Sequence, residues 1–346
     1  WACGGGLWGL GLGGIAIEEG CAGMGLGAVE SAIVAGEFGR ALAVSPCLGS
    51  SVLAASLIDG AGSDIQKEDW LAPIARGVRV CTVAASEPGN TADRDGVCLA
   101  VKHSDEAVVL RGDKQLVPFA ASADAVIVLA RAESAGGDIV AVIVDRASLD
   151  RGIADGAVSI VYQANHASDP MYRIEFRDLS LPRGQFLGDG SCLWSHWEAA
   201  VAQHLLSLGS YAIGAAERVH EISVEYAKYR RAFGRAIGGF QSIAHYLAEM
   251  AVAIEGARTL VYEAAWCKDE NRDYQHLAAM AKLQAGDVFC RAAAVAIQVH
   301  GGLGYTTEAD PQLFYRRAKQ LELMHGGPDW LEQKIAEHLF AERVCA

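Results

Sequence analysis

The sequence is short of the features that mark several protein classes. Among its 346 residues only 8 are proline and 21% are charged, against 51% hydrophobic, which argues against a disordered chain. Cations are outnumbered: 29 Lys and Arg against 42 Asp and Glu leave a net charge of -13, so a nucleic-acid backbone or anionic membrane would be repelled. No apolar run approaches 18 residues, stretches such as 126–130 being strand-sized, and no membrane span is expected. The nine cysteines are odd in number and form no C-x-x-C pair, which fits reduced, mostly buried thiols rather than a disulfide framework. Among ten histidines there is no H-x-H, H-E-x-x-H or Cys/His cluster, so no metal site is expected. P-loop and G-x-S-x-G strings are also missing. No charged segment with a cleavage site opens the chain, and a cytoplasmic protein is the expectation.

What is present divides into three stretches. Residues 1–80 are rich in Gly and Ala, with apolar positions three and four apart at Ala28, Ala32, Ala35 and Phe38, and predict short helices joined by glycine turns. Within them 9–14 matches G-x-G-x-x-G, but no strand precedes it, so a glycine turn is the better reading. Residues 81–190 carry short β-branched runs at 80–84, 107–110, 125–129, 139–144 and 171–176, predicting a small antiparallel barrel or sandwich. Residues 191–346 are helical. Val201, Leu205, Leu208, Ala212, Ala215, Val219, Ile222 and Tyr226 step by four and three, giving a long helix with one apolar stripe, and two similar stripes follow, so these helices form a bundle. Asp310-Pro311 reads as an N-cap with proline at the first helical position, and Gly327-Pro328 as the opening of the last helix.

Two strings in the helical stretch differ from plain core. The first runs from Tyr226 through Arg230, Phe233 and Gly234 to Phe240 and Gln241, a basic helix end entering an aromatic, glycine-containing turn. Cations there complement the helix dipole and suit a phosphate, though a solvated helix end explains them as well. The second, Gln298-Val299-His300-Gly301-Gly302-Leu303-Gly304, lets a ligand approach the backbone closely, or simply ends a helix.

In this order and spacing the strings resemble the acyl-CoA dehydrogenase family, whose C-terminal bundle carries R-x-x-F-G, then F-Q, then Q-x-x-G-G-x-G. The resemblance extends along nearly the whole chain. Glu18-Glu19-Gly20 and Glu37-Phe38-Gly39-Arg40 are similar to the family's N-terminal helical domain, Ser86-Glu87-Pro88 to its T-E-P, and Gly112-Asp113-Lys114 to its G-x-K; Leu187-Gly188 and Arg316-Arg317-Ala318-Lys319 also fit. The family's opening helix is expected to be absent or truncated ahead of Trp1. The resemblance implies an α+β fold: an N-terminal helical domain (1–80), a middle β-barrel or sandwich domain (81–190) and a C-terminal four-helix bundle (191–346), assembled as a dimer of dimers. It implies FAD across a dimer interface, with Arg230 on the diphosphate, Phe233 and Gln241 in contact with the cofactor, and Gln298, Gly301 and Gly302 along its adenosine half.

The resemblance also implies a base that removes the α-proton of an acyl-CoA while a hydride passes to the flavin. At the two positions where family members carry that glutamate the sequence has His325, six residues after Lys319, and His204, 26 residues before Arg230. Glu322 lies three residues from the first position. The family's Gly-Ser-Asp after T-E-P is missing, and its aromatic-Ile-Thr-Asn stretch beside the flavin ring is here Leu116-Val117-Pro118-Phe119, with Pro118 lacking an N-H. Segments that would serve a neighbour's cofactor are thus kept, and those that would serve the chain's own are altered. The expected function is the non-catalytic partner in an α2β2 acyl-CoA dehydrogenase, sharing FAD with a homologous catalytic subunit. The resemblance to heteromeric actinobacterial enzymes suggests a bulky, steroid side-chain acyl-CoA, and the family suggests an electron-transfer flavoprotein as acceptor. The alternatives are a self-sufficient enzyme with His325 or His204 as base, and a structural bundle without flavin.

Overall fold

The computed structural model describes residues 11–344 except 90, 105, 106 and 134–136, so residues 9 and 10 of the glycine-rich string lie outside it. Two compact units emerge: Ser45–His204 with the residues before Gly27, and Gly27–Val44 with the residues from Leu205 on. The 1–80 stretch is therefore divided between them.

In the first unit a π-helical stretch, Leu48–Ala54, runs into α2 (Ala55–Ala61), and α3 (Asp64–Ala75) follows. The capping box of α3 is reciprocal: Gln66 N-H donates to Ser63 Oγ while Gln66 Oε1 accepts from Ser63 N-H. The sheet comprises β1 (Cys81–Ala84), β2 (Ala100–His103), β3 (Ala107–Pro118), β4 (Ala125–Ala132), β5 (Ile139–Asp145), β6 (Val158–Gln163) and β7 (Met171–Pro182), with a short helix α4 (Arg146–Ala154) after β5. The five β-branched runs are all strands. β2 and β6, each short and half polar, were not legible. The sheet is mixed rather than wholly antiparallel as expected, because β4 pairs in parallel with β1 and with β2. Some 40 residues separate β1 from β4, long enough for the crossover that a parallel pair requires. β4 is buried almost throughout and reads as a continuous apolar run, whereas β7 alternates buried and exposed residues.

The two motif segments Ser86-Glu87-Pro88 and Gly112-Asp113-Lys114 meet in this unit. Lys114 Nζ lies 2.6 Å from Glu87 Oε1, and both side chains are buried, Lys114 completely. Lys114 also donates to the Ala85 carbonyl, while Glu87 accepts from the Cys98 and Leu99 N-H groups. Every charge withdrawn from water here has a fixed partner, which a buried ion pair requires.

The second unit holds α1 (Ala28–Arg40), α5 (Trp194–Tyr229) from Leu205 on, a two-strand hairpin (β8, Arg231–Ala232; β9, Arg235–Ala236), α6 (Gln241–Asp269), α7 (Gln275–His300), α8 (Pro311–Leu323) and α9 (Pro328–Val344). Helix α5 follows the predicted period but is not striped: residues 204–216 are buried all round. Proline opens α8 as predicted, though the Asp310 side chain makes no capping bond. The Glu37-Phe38-Gly39-Arg40 motif has a packing explanation. A Cβ on Gly39 would lie 1.9 Å from the Tyr211 carbonyl, and one on Gly214 would lie 1.9 Å from that of Gly36, so α1 and α5 cross with their backbones in contact. Arg40 pairs with Glu217 and Glu221 on α5, and Asp269 at the end of α6 accepts the Ala28 and Val29 N-H groups that open α1.

All seven described cysteines are unpaired, but only Cys47, Cys81 and Cys267 are buried, and Cys98 and Cys192 are exposed. No helix among the described residues is long and apolar enough to cross a membrane. Gly214→Val would force α1 off α5, and overpacking of this kind costs about 1–3 kcal/mol. Denaturant unfolding of the variant should show that loss as a lower midpoint.

Candidate active and cofactor site

The R-x-x-F-G string forms the hairpin after α5. Arg231 pairs with Ala236 and Ala232 with Arg235, leaving Phe233 and Gly234 as a two-residue turn with φ of +51° and +84°. Two positive φ values in succession suit a hairpin of right-handed twist, but the first position favours Asn or Gly over an aromatic. Phe233 is nonetheless 95% exposed, its ring edge-on to that of Phe240 with centroids 6.2 Å apart. Strain and exposure together are unprofitable for the isolated chain and characteristic of a contact residue. Arg230, Arg231 and Gln241 are exposed, and among the described residues no carboxylate forms an ion pair with Arg230.

The Q-x-x-G-G string ends α7. Gly301 has φ +59°, and a Cβ at Gly301 or Gly302 would meet nothing within 4 Å, so both backbones face open space. Gln298 is exposed. The two strings are tied together by Tyr226 of α5, whose ring stacks on buried His300 at 4.1 Å and 26°. The His300 Nδ1-H donates to the Ala296 carbonyl, and burial holds its pKa below the ordinary imidazole value. The structure thus brings the Arg230 and Gly301 ends of two helices side by side. A free guanidinium, an exposed aromatic and an open glycine backbone fit the diphosphate and base of a dinucleotide.

His325 lies in the turn between α8 and α9, half-buried, with φ +50°. Gly326 follows at φ +103°, where any Cβ would collide with the Trp330 ring. The turn is held from below by Lys282 of α7, whose ammonium donates to the Glu322 carbonyl at 2.6 Å and to the Gly326 carbonyl at 2.8 Å. Lys282 is 1% exposed, and burial lowers its pKa to about 8. Burial and then the Lys282 ammonium lower the His325 pKa to about 4. The environment at this position opposes a cation: burial disfavours any charge, and the Lys282 ammonium disfavours a positive one. Glu322 is committed to Lys319 and is not a free base. His204 is buried within α5.

Sequence reading did not single out Lys282, and it placed Tyr226 at the head of the first string without its stack on His300. A lysine within the small-residue face of Ala278, Ala281, Ala285 and Phe289 was the available signal for Lys282. For Pro118, the structure places it at the end of β3 opposite Met171, beyond a bulge at which Leu116 takes φ +53° and its N-H turns to the Gln163 side chain.

Comparison with known proteins now decides the family. The acyl-CoA dehydrogenase C-terminal domain matches residues 197–340 and the N-terminal domain of the same family residues 5–78. A probable acyl-CoA dehydrogenase of Bacillus subtilis, YngJ, is 31% identical over 336 residues, spanning 95% of this chain and 87% of its own. The chain belongs to the acyl-CoA dehydrogenase family. These flavin-dependent oxidoreductases use FAD. Butyryl-CoA dehydrogenase from Megasphaera elsdenii superposes with a TM-score of 0.90 at 26% identity, covering 97% of this chain and 89% of that one. The ChsE4-ChsE5 complex of Mycobacterium tuberculosis superposes with a TM-score of 0.84, also at 26% identity, covering 96% and 86%. The fold is that of the family: an N-terminal helical part, a middle β-sheet and a C-terminal helical part.

Two outcomes follow from the strained and buried groups. Phe233→Asn relieves a left-handed conformation that costs about 1–2 kcal/mol, so thermal unfolding of the isolated chain should move to higher temperature. For His325, the folded pKa of about 4 lies below the ordinary 6.5, so between those values the unfolded chain binds more protons. Stability is lost as pH falls through that window, by at most about 1.4 kcal/mol per pH unit. His325→Asn, which tolerates positive φ, should flatten that part of the stability profile measured by urea titration.

Proposed function

We propose that this chain is the partner subunit of a heteromeric acyl-CoA dehydrogenase, lending part of an FAD site to a homologous subunit that carries the catalytic base. The observation behind this reading is the state of residue 325. A base must become more positive as it takes a proton, and an imidazole beside a buried ammonium is opposed in that step. A carboxylate beside the same ammonium would be helped, so Lys282 suits the residue that the family has there and not the one present here. With a pKa near 4, His325 is also a weak acceptor for an α-proton.

The residues that would hold the cofactor are Arg230 at the diphosphate, Phe233 and Gln241 beside it, and Gln298, Gly301 and Gly302 along the adenosine half. All six are exposed in the single chain, which supports their facing a second subunit. When bound, FAD supplies the hydride acceptor. This chain's own contribution is then electrostatic and steric: Arg230 neutralises phosphate charge, the glycines admit the nucleotide to the backbone, and the stack of Tyr226 on His300 keeps the two turns together. The altered Leu116-Val117-Pro118-Phe119 segment supports one FAD per heterodimer. The similarity to the ChsE4-ChsE5 complex supports a two-chain assembly, and a bulky, steroid side-chain acyl-CoA is the substrate class to try against butyryl-CoA. An electron-transfer flavoprotein is the proposed electron acceptor, and the cytoplasm the proposed location.

Native mass spectrometry with a flavin spectrum tests the reading. Expressed alone the chain should be colourless, and with its partner it should form a yellow 2:2 complex with two FAD. In that complex Arg230→Ala should lower flavin content, while His325→Asn should leave turnover within a few-fold. A homomeric yellow enzyme whose turnover falls about 10²-fold or more in His325→Asn with FAD retained would overturn it.

A further inference from the structure

Sequence spacing offers no metal motif, yet helix packing gathers three ligand-type side chains in the second unit. Asp273 precedes α7, His276 lies in its first turn, and His338 comes from the far end of α9. The two imidazoles are parallel, 4.0 Å apart with 5° between their planes. Each points its Nδ1 at the same carboxylate: His276 is 3.8 Å from Asp273 Oδ1, and His338 is 3.8 Å from Oδ2. That is too long for hydrogen bonds, which span about 2.7–3.2 Å. The His276 Nδ1 is buried without a hydrogen-bond partner, an arrangement that costs free energy unless something else occupies its lone pair.

A shared ion removes the difficulty. In a tetrahedral zinc site with bonds of about 2.0–2.1 Å, neighbouring ligand atoms are about 3.3 Å apart, so each His-Asp edge closes by about half an ångström and the two stacked rings turn so that their in-plane lone pairs converge on the ion. All three ligand atoms already lie within 4.8 Å of one another. Two imidazole nitrogens and one carboxylate oxygen form a donor set for zinc or a similar transition metal, not for magnesium or calcium. In helix α9 Leu331 is buried, whereas Leu339 and Phe340 near its end are 50% and 62% exposed.

We propose that Asp273, His276 and His338 form a structural site for a divalent transition-metal ion of the zinc type, with water as fourth ligand, that clips the C-terminal helix to the start of α7. The site is separate from the FAD segments, and its test does not depend on the proposed subunit role.

Equilibrium dialysis of the full chain, in whichever assembly it purifies, against Zn²⁺ or Mg²⁺ with elemental analysis provides the test. Cys98→Ser and Cys192→Ser in the background remove the exposed thiols among the described residues as competing ligands. The expected result is one Zn²⁺ per chain and no Mg²⁺, with a melting temperature that rises on Zn²⁺ addition and returns on chelation. His276→Ala, His338→Ala and the isosteric Asp273→Asn should each weaken Zn²⁺ binding at least about tenfold, the least that loss of even an outer partner of a ligand produces. Each should also abolish the Zn²⁺-dependent rise while leaving flavin content unchanged. Absence of Zn²⁺ binding in the parent, or undiminished binding in Asp273→Asn and the double histidine variant, would overturn the proposal.

Discussion

A charge removed from water must be compensated where it stands, and both units of this protein are organised around a lysine under that constraint. Lys114 meets it with the Glu87 carboxylate and the Ala85 carbonyl, which pins the segment after β1 to β3. Lys282 meets it with two main-chain carbonyls, Glu322 and Gly326, at the end of α8. The Glu322 carbonyl lies in the last turn of α8 and Gly326 in the turn beyond it, so the ammonium satisfies the helix terminus as the helix satisfies the ammonium. The turn bearing His325 is thereby fixed, and its electrostatic character is set before any ligand arrives.

The scaffold of the family rests on elements other than the side chain at residue 325. Packing elements such as the α1–α5 crossing, the Arg40 ion pairs and the Lys282 clamp involve backbone and buried charge, and each would be costly to lose. The Lys282 clamp grips the turn through the Glu322 and Gly326 carbonyls, so substitution at residue 325 leaves those two bonds in place. The exposed Phe233 turn shows the opposite balance. It carries local strain and gains nothing in the single chain, which makes sense for a surface completed by another molecule.

Much of the fold was legible, for identifiable reasons. The 3.6-residue period marked the long helices, β-branched runs marked the long strands, and proline marked the openings of α8 and α9. β2 and β6 were not legible because four to six residues of mixed polarity carry no distinct period. The parallel pairing of β4 was hidden as well, since strand direction depends on a crossover rather than on the strand. Of the site, the glycine and arginine strings stood out as motifs, but Lys282 did not, because a single lysine in a helix reads as solvent-exposed until a neighbouring helix end covers it.

By itself the sequence determined the class of the fold, the family likeness and the identities at positions 204 and 325, since these depend on residue type and order along the chain. Only the tertiary structure decided what those residues experience: that Glu87 answers Lys114, that Tyr226 joins two distant motifs, that burial and then Lys282 lower the proton affinity of His325, and that His338 faces Asp273 and His276. Desolvation and contact across tens or hundreds of residues have no local signature, because the energy of a buried charge or an orphaned nitrogen belongs to its surroundings and not to its place in the chain.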